Sequence, residues 1–168
     1  SIERDKQIFK SKNDLIDIQV NSSLSLSKSS TAEQSVFTNE NQIYIVSSLL
    51  DALSELNYQL LPSNVGIDNI EINNLISSYN LMILDKNKLV LSAGPNNPSI
   101  RQLTISIKNV RENIIFSLKN YLNQLNVLKN TFSEQYNKFD TELATFPAKE
   151  KELRIIERNQ KIKETLYL

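Results

Sequence analysis

The 168-residue sequence contains no cysteine, no histidine and no tryptophan. Without cysteine there are no disulfides, no thiol nucleophile and no Cys/His zinc site; without histidine the commonest general base is gone. A chain without cysteine suits either redox compartment, so this absence does not locate the protein. Glycine is nearly absent too, with only Gly66 and Gly94. A phosphate-cradling loop needs several glycines close together, which excludes a Walker loop and a Rossmann fingerprint. Neither sign of charge is in excess, since nineteen acidic residues balance nineteen Lys and Arg. The bases are spread along the chain, so there is no concentrated footprint for nucleic acid or for an anionic membrane surface. No apolar run approaches the roughly 20 residues that span a bilayer, and no signal peptide opens the sequence. The chain starts without methionine on a charged helical pattern, and we read it as an excised portion of a longer protein. On that reading any targeting or membrane segment belongs to the flanks.

What is present is enough to fold: 40% apolar and 23% charged residues. Asparagine is abundant, at twenty-one residues, which matches the usage of a biased genome. The clearest pattern runs from Pro98 to Phe146, a stretch free of Gly and Pro after Pro98. Ile100, Leu103, Ile107, Val110, Ile114, Leu118, Tyr121, Leu125, Leu128, Phe132, Tyr136, Phe139, Leu143 and Phe146 recur at gaps of three and four. Thirteen gaps cover 46 residues, a mean of about 3.5, which predicts one helix with one continuous buried seam. Asn97 is a natural N-cap and Pro98 suits the first helical position. Pro147 is expected to close this helix, as a kink or a full reversal.

Four further segments flank it. The first dozen residues read as the end of a helix. Leu15 to Val20 alternates apolar and polar, as a short strand or an extended link would. A helix of about 30 residues is expected from Ser30, with Glu33 completing a capping box, to Leu60. Val36, Ile43 and Leu50 form one of its heptad rows, Val46, Leu53 and Leu60 another, and Leu49 and Leu56 widen the stripe. Pro62 stops it, and Ser63-Asn64-Val65-Gly66 is a turn. A third helix, about Asn69 to Leu91, takes Asp68 as cap. It is apolar on two faces, with Ile72, Ile76, Tyr79 and Ile83 on one and Leu75, Met82 and Leu89 on the other. Such a helix is sandwiched or meets another subunit. Ala148 to Leu168 is again helical, with Glu150–Arg154 and Glu157–Lys161 at i,i+4. The fold class expected is all-α: an elongated antiparallel helical bundle or coiled-coil hairpin, residues 1–168 forming one module, with one helix of about 48 residues.

Little here points to a reaction. No acidic pair sits in an apolar pocket pattern, so the chain is expected to be no enzyme and to need no cofactor or metal. Asn113, Asn120, Asn123, Asn130 and Asn137 share the long helix with Lys119 and Lys129, and no acidic residue interrupts Asn113 to Phe132. Amide and ammonium donors suit sugar hydroxyls, so this stripe reads either as glycan-facing or as a plain solvated face.

Pro147-x4-Glu152, then Ile155-Ile156-x-Arg158 and Tyr167, resembles a segment of bacterial polysaccharide co-polymerases. The nearest group is the Wzc-type capsule and exopolysaccharide tyrosine autokinases. In that family a proline opens a helix, a glutamate follows after five residues, an arginine after six more and a tyrosine after a further nine. Asn97-Pro98-x-Ile100-x-x-Leu103 resembles the family's proline-led start of a long periplasmic helix. Leu61 to Ile67 followed by Leu75 to Asn80 is similar to one branch of the family. The resemblance covers the whole chain, most firmly from Leu61 onward. Its structural positions are Asn97, Pro98, Pro147, Glu152, Arg158 and Tyr167.

The resemblance implies the periplasmic helical part of an inner-membrane protein, joined to the membrane only through flanking segments. It implies a ring-like homo-oligomer, control of polysaccharide chain length, and handover of polysaccharide to an outer-membrane exporter. A cytoplasmic tyrosine kinase domain belongs to the implied parent; its Walker motifs and Tyr-rich tail are not in this sequence, so no catalytic residue carries over. Two other readings are a periplasmic helical bundle of a membrane receptor, which favours helices of matched length, and the hairpin of an efflux adaptor, which needs two equal arms. A plain structural coiled coil is a third.

Overall fold

The computed structural model describes residues 2–12, 18–55 and 58–166. Its described residues form four helices and no strand: α1 (Ile2–Lys12), α2 (Ile18–Ser54), α3 (Ile70–Ala93) and α4 (Pro98–Leu166). The all-α helical bundle expected from the periodicity is what the chain adopts. Its contacts gather into two compact units, Phe37–Asn130 and Ser1–Val36 with Thr131–Leu168, and both α2 and α4 run through the two.

The Phe37–Asn130 unit is a three-helix arrangement around an aliphatic core. Val46, Leu49 and Leu53 from α2, Ile72, Ile76, Tyr79 and Ile83 from α3, and Ile107, Ile114, Leu118 and Leu125 from α4 are its buried members. Leu61 and Ile67 enter the same cluster from the α2–α3 connection. Each such side chain contributes about 1.5–3 kcal/mol by leaving water. Leu75 and Met82 are partly buried against this cluster, so the second apolar face of α3 is sandwiched within the chain.

The other unit packs differently. The buried face of α2 here is Ser25, Ser29 and Ala32, small residues at gaps of four and three. Against such a face large partners can approach closely, and the α4 seam turns aromatic at the same place: Phe132, Tyr136, Phe139 and Phe146 are half-buried or buried. The Lys28 ammonium lies 5.8 Å from the Phe139 ring centre. Lys6 of α1 pairs with Glu157 of α4 at 2.7 Å.

Several boundaries differ from the sequence expectation. Helix α2 begins at or before Ile18, so Ile18–Val20 is helix rather than strand, and Ser30 lies mid-helix instead of capping. Leu15, Ile16 and Asp17 lie outside the described residues. Hydroxyls in this Ser-rich run turn back onto their own helix, as Thr31 Oγ1 does to the Ser27 carbonyl (2.9 Å) and Ser35 Oγ to that of Thr31 (3.0 Å). Helix α2 also ends at Ser54, well before Pro62, because Arg111 of α4 donates to the carbonyls of Leu53 and Glu55 and so occupies its open C-terminus. Leu60 is consequently exposed, and Leu56 lies outside the described residues. The α3 cap is Asn69, one residue after Asp68: its Oδ1 accepts from the Ile72 amide at 3.0 Å. Gly94 ends α3 with φ 76°, its N–H bonding to the Val90 carbonyl at 3.1 Å.

The largest correction concerns Pro147. It does not close the long helix; α4 continues through it to Leu166, 69 residues in all. A proline there removes one bond, from its own nitrogen to the Leu143 carbonyl, and costs about 3 kcal/mol in an isolated helix. Apolar contacts on both sides hold the helix through it, with Leu143 and Phe146 before and Leu153 and Ile156 after, all half-buried or buried.

Candidate functional site

The residues singled out by resemblance divide into two places. At the start of α4, Asn97 Oδ1 accepts from the Ser99 amide at 2.9 Å, and the Asn97 carbonyl accepts from Ile100 at 3.0 Å. Pro98 occupies the first helical position, where its missing N–H leaves nothing unpaired. This is the proline-led helix start expected from Asn97-Pro98.

Further along, Pro147, Glu152 and Arg158 sit on one continuous helix. At about 3.6 residues per turn the eleven-residue step from Pro147 to Arg158 returns to nearly the same face, whereas Glu152 falls on a different one. Pro147 and Arg158 accordingly line one open hollow together with Lys151, Arg154 and Ile155. Glu152 is exposed and does not share it. Arg154 is ion-paired with Glu150 as the i,i+4 spacing predicts. Glu157 reaches Lys6 of α1. Tyr167 lies outside the described residues. The spacing that carries the resemblance therefore does not assemble Pro147, Glu152 and Arg158 into one cluster.

The most heavily built polar constellation is one that sequence reasoning did not find: the bracing of the α2–α3 connection. Asn80 of α3 uses both ends of its amide on one residue, Nδ2 donating to the Leu61 carbonyl and Oδ1 accepting from the Leu61 amide, each at 2.8 Å. Gln42 of α2 does the same across a turn, donating to the Gly66 carbonyl at 2.6 Å and accepting from the Asp68 amide at 2.9 Å. Asn73 Nδ2 donates to the Ile67 carbonyl (2.9 Å), and the Tyr121 hydroxyl of α4 donates to that of Asp68 (3.1 Å). Gly66, at φ 84°, and Asn64, at φ 58°, supply the left-handed backbone the turn requires. These amides satisfy main-chain groups that have no helix to bond to, so Leu61 and Ile67 can be buried. Only the abundance of asparagine hinted at them.

Burial raises two tyrosines above their ordinary value of 10.0. For Tyr79 desolvation is the larger cause, opposed by the nearby Arg111 charge and aided by Tyr58; for Tyr121 it is followed by the Asp68 carboxylate. Among the described residues no group of three or more His, Cys, Asp or Glu is placed to hold a metal, and no helix is long and apolar enough to cross a membrane. Asn113, Asn120, Asn123, Asn130 and Asn137 are all exposed, while Lys129 pairs with Glu40 at 3.0 Å. What these places can do chemically is hold and brace. No known protein family, curated protein or solved structure matches the chain.

Proposed function

We infer that this chain is a helical scaffold in the periplasmic region of a bacterial inner-membrane polysaccharide co-polymerase. It acts through subunit assembly in the control of chain length and the export of capsular or exopolysaccharide. The observation that carries the reading is α4: a proline-led helix, capped by Asn97, with Pro147, Glu152 and Arg158 at the family's spacing. Its seam supports a strut, since thirteen of the fourteen predicted positions are buried or half-buried and only Leu128 is exposed. The polysaccharide itself enters through the resemblance alone.

The test is made in a cell that produces the polymer. Full-length protein carrying Leu125→Asp should leave surface polysaccharide short or absent when resolved by length on a gel. A normal length distribution at normal protein level, from a variant shown to be unfolded, would overturn the reading.

A further inference from the structure

Helix α3 carries an exposed apolar row in addition to its buried face. Ile70, Leu81, Leu84 and Leu91 are 79, 62, 41 and 88% exposed. Ser77 and Lys88 fill the gaps, so the row keeps the three-and-four spacing of a helix-pairing seam along the whole element. Helix α4 carries a second outward row in the same unit: Ile105, Phe116 and Val127 are 54, 67 and 67% exposed. They lie eleven residues apart, three turns each, and therefore stack on one face. That face is opposite Ile107, Ile114 and Leu118, which are fully buried.

The two rows match. In α3 the large residues Ile70, Leu81 and Leu91 are spaced by eleven and ten; in α4 Ile105, Phe116 and Val127 are spaced by eleven and eleven. At 1.5 Å per residue each row is about 32 Å long. Laying Leu81 against Phe116 brings both ends of one row onto the ends of the other. Within one chain this cannot happen, because both rows face away from the core that α3 and α4 share. The exposed fractions of these seven side chains amount to on the order of 800 Å² of apolar surface, close to the roughly 1,000 Å² a specific interface must clear once a rim is added. Asn109, Asn120 and Asn123, all exposed on the α4 side, supply an uncharged polar rim.

We propose that the α3 row of one copy seats on the α4 row of the next, a heterologous contact between copies of this chain that closes into a ring or continues as a filament. This rests on the self-assembly part of the function inferred above. It assigns the contact to two named faces, which that reading does not. The partner is a second copy, because the complementary row is written into the same sequence at the same spacing.

The absence of cysteine makes the test direct. Leu81→Cys and Phe116→Cys are made separately, at positions exposed enough that folding is preserved, and oxidised at protein concentrations on the order of 100 µM, suited to a contact of this size. Each variant alone should stay monomeric under denaturing electrophoresis. Mixed, they should give one covalent dimer, and the double variant should give a ladder. Phe116→Asp, with an unchanged melting temperature, should weaken association at least tenfold in sedimentation. Cross-linking of Leu81→Cys with itself as readily as in the mixture would overturn the pairing in favour of α3 on α3. Association without a cross-link in the mixture would overturn it while leaving assembly standing. A strict monomer by sedimentation at the highest attainable concentration would overturn both the pairing and the assembly it rests on.

Discussion

The two units use the same pair of helices to pack in opposite ways. In Phe37–Asn130 the buried side chains are branched aliphatics from three helices, and α2 presents Val46, Leu49 and Leu53. In the other unit α2 presents Ser25, Ser29 and Ala32, and α4 answers with aromatic rings. The first arrangement draws its stability from apolar area removed from water. The second draws on close approach across a small-residue face, where there is less area to bury and little room to spare. A single helix can thus change packing mode along its length without any break in its hydrogen bonding. Close to the change, α2 buries the polar Asn39, and Lys129 reaches Glu40 at 3.0 Å. Leu128, the seam position that fails to bury, lies in the same stretch.

The comparison is broken most severely in the aliphatic unit. Leu125, 4% exposed, should not tolerate a charge: Leu125→Asp is expected to cost about 4 kcal/mol or more and to abolish cooperative thermal unfolding of Phe37–Asn130 by circular dichroism. Retention of a sharp transition would place Leu125 outside the core. In the other unit the informative change adds volume. Ser29→Leu is conservative for a helix yet should destabilise by about 1–3 kcal/mol, because the small face has no space for a branched side chain. A neutral or stabilising result in a denaturant titration would mean that the Ser25–Ser29–Ala32 face is loosely packed.

Smaller effects sharpen the picture. Asn80→Ala leaves both main-chain groups of Leu61 without their partner and should cost about 1–2 kcal/mol, with faster proteolysis between Glu55 and Asn69. An unchanged cleavage rate would show that the connection holds without its amide brace. Asn123→Asp, on the exposed side of α4, should change stability by less than about 0.5 kcal/mol.

These contrasts explain what could be read in advance. The α4 seam was legible because large apolar side chains at helical spacing are the strongest signal a sequence carries, and nearly every position buries. The first part of α2 was not, because its pattern is inverted: Val20, Leu24 and Leu26 are more than half exposed while Ser25 and Ser29 are buried. A reading that looks for an apolar face finds alternation and loop-forming serines there. The end of α2 was misplaced because the determinant is Arg111, more than fifty residues away. Pro147 was taken as a stop because local geometry argues for one, and burial on both sides outweighs it. The turn at Ser63–Gly66 and the Asn97-Pro98 start were legible, being fixed by residues within their own few positions. The bracing amides were hidden, since an asparagine that bonds a distant main chain looks like any other in sequence.

Native-state hydrogen exchange along α4 tests the central contrast most directly. The amides between Ile107 and Leu125 should exchange only through full unfolding of their unit, whereas those between Phe132 and Phe146 should open at lower free energy, with continuous protection up to Leu143 and again beyond Pro147. Uniform protection from Ile107 to Phe146 would contradict the claim that the helix packs in two modes.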